Sequence, residues 1–108
     1  MIFIKEDIAK LNDVPTREQE AYFHDWKQWV AELTGSGNYH SGGPLDHEGR
    51  YLAEGKVLSD GPFIEAKEAV TGYFKIKAQD IEHAVGLVKD CPVYQYDGAL
   101  EIRPIMVY

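Results

Sequence analysis

The 108-residue chain carries a formal net charge of -7, a pI near 4.9 and 44% hydrophobic residues. That is apolar material for one core and too little length for two, so residues 1–108 are expected to form one domain, small enough to gain from dimerisation. The excess of carboxylates repels phosphate backbones and anionic lipid, which argues against direct nucleic-acid or membrane-surface roles and favours neutral or cationic partners.

Met1 to Lys5 is short, apolar and β-prone, which suits a first strand. Lys5-Glu6-Asp7 follows at once and leaves no apolar run long enough for a signal sequence or a membrane span, so a soluble cytoplasmic protein is expected. Thr16-x-x-Gln19 after Pro15 has the form of a capping box, and Tyr22, Trp26, Trp29, Val30 and Leu33 then recur at helical spacing until Gly35. This predicts an amphipathic helix from about Thr16 to Thr34. Trp26 and Trp29 lie on the apolar stripe, so packing is expected of them rather than ligand stacking. His24 lies nearly opposite that stripe and is expected in solvent.

Residues 35–43, GSGNYHSGG, have the composition of a flexible loop. Gly35-x-Gly37 follows a helix and lacks the third glycine of a dinucleotide fingerprint, so no nucleotide cofactor is expected. His40, Asp46, His47 and Glu48 are metal-ligating residue types, yet no pair has a recurrent ligand spacing and no cysteine assists, so no metal is expected either.

Arg50 to Ala53 and Lys56 to Ser59 flank Glu54-Gly55 as two short strands around a turn. From Val70 to Ala78 the chain alternates, with Gly72, Phe74, Ile76 and Ala78 on one face and Thr71, Tyr73, Lys75 and Lys77 on the other. Asp80 then leads a second helix whose apolar face is Ile81, Ala84, Val85, Val88 and Cys91, and Pro92 ends it. Gly86 inside that helix costs about 1 kcal/mol against alanine, which suggests a close packing contact there. Cys91 is the only cysteine; it excludes an internal disulfide, fits a reducing compartment, and sits where a helix dipole opposes the thiolate. A buried or capping role is expected of it. Ala99 to Tyr108 forms a last strand in which Leu100 and Ile102 oppose Glu101 and Arg103, and Pro104 puts it at an edge or a bulge.

Strand, helix, strand pair, helix, strand is the ferredoxin-like βαββαβ order, an α+β sandwich with an antiparallel sheet and two helices on one face. The uncovered face would carry Tyr73, Lys75, Lys77 and Arg103 with part of Phe3, too aromatic for a free surface and too charged for a core. Stacking two such sheets in a homodimer would bury the aromatics and leave a polar-lined pocket at the seam.

Between the strand pair and the alternating strand lies Ser59-Asp60-Gly61-Pro62-Phe63-Ile64-Glu65-Ala66-Lys67-Glu68. Asp-Gly-Pro is turn chemistry, but a plain turn does not account for Asp60, Glu65, Lys67 and Glu68 gathered around Phe63. Together with Gly72-Tyr73, Ala84, Cys91-Pro92 and Glu101-Ile102-Arg103-Pro104-Ile105, this string resembles the YCII-related, or DGPF-domain, family. The resemblance implies a ferredoxin-like subunit of a dimeric α+β barrel, shared with small isomerases and monooxygenases. It also implies a gene neighbourhood with alternative sigma factors and an acid–base site of an aspartate and a histidine. Asp60 matches the aspartate; the histidine is left unassigned, since His24 faces away from the apolar stripe and His40 lies in the glycine-rich loop. Thr71 and Gln79 depart from the family pattern, which more often has glycine and an acidic cap there.

A carboxylate works as a general base near neutral pH when burial or a like charge raises its pKa from about 4 toward 6 or 7, and Glu65 or Glu68 beside Asp60 could do this. Asp60 and Glu65 are therefore the candidate catalytic residues, acting beside a carbonyl of a small metabolite. Lys67, Glu68, Tyr73 and Arg103 are the candidate ligand-binding residues, which would hold a carboxylate or an oxyanion. Two other readings stand beside this one. The segment is a structural turn with weak surface ion pairs, or the domain is a non-catalytic ligand-binding or regulatory module associated with an alternative sigma factor.

Overall fold

The computed structural model describes residues 1–60 and 69–106, with the backbone alone for Ser59 and Asp60. Strand β1 (Ile2–Glu6) is followed by a short helix α1 (Ile8–Asn12) and a long helix α2 (Thr16–Gly35). Strands β2 (Tyr39–Pro44), β3 (Arg50–Ala53), β4 (Lys56–Asp60) and β5 (Ala69–Ile76) come next, then helix α3 (Ile81–Val88), a 3-10 turn (Pro92–Tyr96) and β6 (Ala99–Ile102). The main sheet has the order β2-β5-β1-β6 and every pairing in it is antiparallel. With β3 and β4 set aside, this is the ferredoxin-like α+β order.

The expected helices form where the periodicity puts them, except that α3 ends at Val88 and leaves Cys91 outside it, at the start of the 3-10 turn. Trp29 and Leu33 of α2, Val88 of α3, and Cys91 and Val93 beyond it close over Ile2 and Phe74 of the sheet. Trp26, Ile4, Ile76, Leu100 and Ile102 pack against that cluster. Trp29 meets Phe74 edge to face at 5.7 Å and Trp26 at the same centroid distance, so both tryptophans pack rather than wait for a ligand. His24 is exposed. Asp80 caps α3 by accepting from the His83 amide at 2.8 Å. β6 lies at the sheet edge, as Pro104 requires.

Several expectations change. The strand pair of the ferredoxin order is β2 and β5, because Tyr39–Pro44, expected as loop, pairs with β5. Gly42 permits the pairing: a Cβ there would stand 2.4 Å from the Tyr73 carbonyl oxygen and 2.5 Å from the Phe74 Cβ. The Arg50 and Lys56 strands make a separate two-stranded sheet, turned by Glu54 and Gly55 at φ of 54° and 76°. The capping box does not form. Pro15 occupies the cap of α2, and the Gln19 amide instead donates to the carbonyls of Leu11 and Val14, both at 2.9 Å, tying α2 to α1. Gly86 has nothing within 4 Å of where a Cβ would lie, so no close contact explains it. The last strand ends at Ile102 rather than running on toward Tyr108.

Candidate functional site

The sheet has two faces of different chemistry, and strand register assigns residues to each. Ile2, Ile4 and Glu6 of β1 point toward the helices, whereas Phe3 and Lys5 point away. Phe3 lies between Tyr73 of β5 and Glu101 of β6. Lys75, two residues beyond Tyr73, shares the outer face. Lys5 pairs with Glu101 at 2.8 Å, and the Arg103 guanidinium stands 3.9 Å from the same carboxylate. The outer face therefore presents an aromatic pair, Phe3 and Tyr73, among three cations and one carboxylate, in a protein with a net charge of -7. Among the described residues no helix packs on it, and Tyr73 keeps 38% of its surface exposed. The Lys5 ammonium, by hydrogen bond and by charge, holds the Glu101 carboxyl below its ordinary range.

Of the candidates named from sequence, Tyr73 and Arg103 thus come to one face. Arg103 also edges a cavity of about 300 Å³ between β6 and the start of α3, and its carbonyl accepts from the Met1 ammonium at 2.8 Å. Glu65, Lys67 and Glu68 and the side chain of Asp60 lie outside the described residues. The Asp60 backbone stands at the end of β4, paired with Arg50. β5 begins at Ala69, which pairs with Glu6 at the end of β1.

That end of the sheet holds residues that sequence reading passed over. On the helix side the Glu6 carboxylate accepts from the Tyr22 hydroxyl at 2.7 Å and from the Thr71 hydroxyl at 2.5 Å. Thr71 reaches it because β5 has an extra residue here: Ile4 pairs with Gly72 and Lys5 with Val70, leaving Thr71 in a bulge. Burial raises the Tyr22 phenol above its ordinary range, the bond to Glu6 adds to the rise, and the hydroxyl stays protonated as a donor. One signal was available: a tyrosine on a buried helical stripe needs an acceptor for its hydroxyl. Its partners lie too far off in sequence for any spacing rule to find.

Cys91 is buried, and burial pushes its thiol up to about 12, the opposite of an activated nucleophile. His40 Nδ1 lies 2.8 Å from the Ser41 hydroxyl, and Asp46 accepts from the Glu48 amide at 3.0 Å. Among the described residues no three histidine, cysteine or carboxylate side chains gather as a metal would require, and no helix is long and apolar enough to cross a membrane.

An uncharacterised protein of Rhizobium meliloti (strain 1021), R00369, is 30% identical over 60 residues, which is 55% of this chain and 48% of that protein. The match therefore spans about half the length of that relative. The family model described as the YCII-related domain matches residues 13–108, from the approach to α2 through β6. The chain belongs to the YCII-related domain family.

Proposed function

We propose that the protein is a cytoplasmic homodimer that binds a small carbonyl- or carboxylate-bearing metabolite where the outer faces of two sheets meet, with Asp60 as the proton-transfer group. One observation carries the reading: in an acidic protein, the uncovered sheet face gathers Lys5, Lys75 and Arg103 around Phe3 and Tyr73. A second copy stacked on this face would bury the aromatics and take the cations out of water, and in that less polar setting their attraction for an anionic group is stronger. Arg103 and Tyr73 would then hold the carboxylate or a developing oxyanion. Asp60, with Glu65 able to raise its pKa, would take or return the proton beside the carbonyl, and Lys67 and Glu68 would line the same site.

Light scattering at micromolar concentration tests the assembly, and a monomer would remove the proposal. The chemistry is tested by incubating 2-oxo acids with the protein in heavy water and following loss of the signal of the C3 protons, beside the carbonyl, by NMR. Asp60→Asn should abolish exchange, and exchange at the native rate in that variant would exclude Asp60.

One feature favours the regulatory reading. Tyr51, Leu52, Val57 and Leu58 of the β3–β4 hairpin are each more than half exposed, an apolar surface suited to a polypeptide such as a sigma factor. Co-purification of a sigma factor that is lost on Leu52→Glu/Leu58→Glu, with no exchange activity, would support that alternative.

A further inference from the structure

We propose that the cavity of about 230 Å³ on the helix side of the sheet is a binding site for a small organic cation with an apolar body, an ammonium or amidinium on a single ring or short chain, whose charge is taken by Glu6. This site lies on the opposite side of the sheet from the basic outer face, and neither reading depends on the other.

The wall is largely apolar, formed by Ile8 and Leu11 of α1, Phe23 of α2 and Leu45 after β2, with Asn12 and His47 also on it, and Glu6 stands among them. Its position is fixed in advance by the Tyr22 and Thr71 hydroxyls, one on each oxygen. Both donors are neutral, so they orient the carboxylate without cancelling its charge, and among the described residues each oxygen keeps an acceptor position unused. Among the described residues no lysine or arginine pairs with it: Lys5 is turned to Glu101 on the far face, and Lys10 is held by Asp97. Nor can Gln19 on the same wall supply a donor, since its amide is committed to two carbonyls.

A fixed carboxylate at an apolar wall is complementary to a cation that brings apolar surface with it. An anion would meet repulsion, and a bare metal ion would find one carboxylate where it needs several oxygens. The rings of Tyr22 and Phe23, 6.2 Å apart, also border the cavity and attract organic cations through their faces. Size narrows the class further, since about 230 Å³ falls below the roughly 300–1,000 Å³ of pockets for drug-sized ligands.

The test uses benzylamine and benzamidine as cationic probes and benzoate as their matched anion, titrated into 15N-labelled protein. Both cations are expected to shift the amide signals of Ile8, Tyr22 and Thr71 in a saturable way, and benzoate is expected to leave them in place. Glu6→Gln, which retains an oxygen for one hydroxyl, should weaken binding about tenfold or more. Leu45→Trp fills the cavity from an exposed position without touching the hydrogen bonds and should block both cations; it decides the matter if Glu6→Gln does not fold. Equal binding of benzoate, undiminished binding by either variant, or no shift with either cation at millimolar concentration would overturn the proposal.

Discussion

The indole N–H of Trp29 donates to the carboxylate of Asp90 at 3.0 Å and so joins the middle of α2 to the turn that ends α3. Trp29 is buried, and removing its acceptor would leave an indole N–H unpaired in the core. Asp90→Ala is expected to lower stability by about 1 to 2 kcal/mol in urea denaturation, with the slope unchanged. Unaltered stability would mean that solvent reaches the indole and replaces the carboxylate.

Gly86 offers the opposite effect. It is exposed within α3, and an added Cβ would meet nothing within 4 Å, so the helix carries the entropy cost of glycine with no packing return. Gly86→Ala should raise stability by about 1 kcal/mol. A lower melting temperature for this variant would show that the space is filled in solution.

Gly42 answers differently again, because β2 lies so close to β5 that a Cβ would collide with backbone at Tyr73 and Phe74. Gly42→Ala should cost about 1 to 3 kcal/mol. Hydrogen exchange should locate the damage in β2, one of the two edge strands, while β1 and β6 stay protected.

The Cys91 thiol provides a pH test. Its ordinary value is 9.0, and burial raises it to about 12 in the folded chain, so folding favours the protonated form. That contribution is complete below pH 9 and is lost as pH climbs from 9 toward 12. Burial raises the Tyr22 phenol as well, which works in the same direction. Melting temperature should therefore fall on the alkaline side, and an aromatic disulfide reagent at pH 8 should label Cys91 only as fast as the protein opens. Immediate stoichiometric labelling would contradict the burial.

Much of this fold was legible in the sequence because two helices announce themselves by period: Tyr22, Trp29 and Leu33 on α2, and Ala84 and Val88 on α3. The β3–β4 hairpin was legible from Glu54-Gly55, which accepts the positive φ its turn needs. β2 was not, since Tyr39–Pro44 holds two glycines and a proline and has no alternation; only pairing with β5 makes it a strand. Side-chain competition also hid from local pattern: the Gln19 amide that would complete a capping box finds better-placed carbonyls on Leu11 and Val14. At the candidate sites, Tyr73 and Arg103 followed from alternation. Glu6 did not, because Tyr22 and Thr71, 16 and 65 positions away, meet it only after the sheet and α2 have packed.

The strand order has a consequence for synthesis. β1, which leaves the ribosome before the other strands of its sheet, sits between β5 and β6, and its residue Ile2 pairs with both Phe74 and Ile102. β5 can satisfy only one edge of its backbone, so the sheet cannot close until Ile102 has emerged from the exit tunnel. Completion of this sheet is thus tied to translation through β6, and a stall between β5 and β6 leaves one edge of the apolar strand Ile2-Phe3-Ile4 unpaired and open to association with other nascent chains.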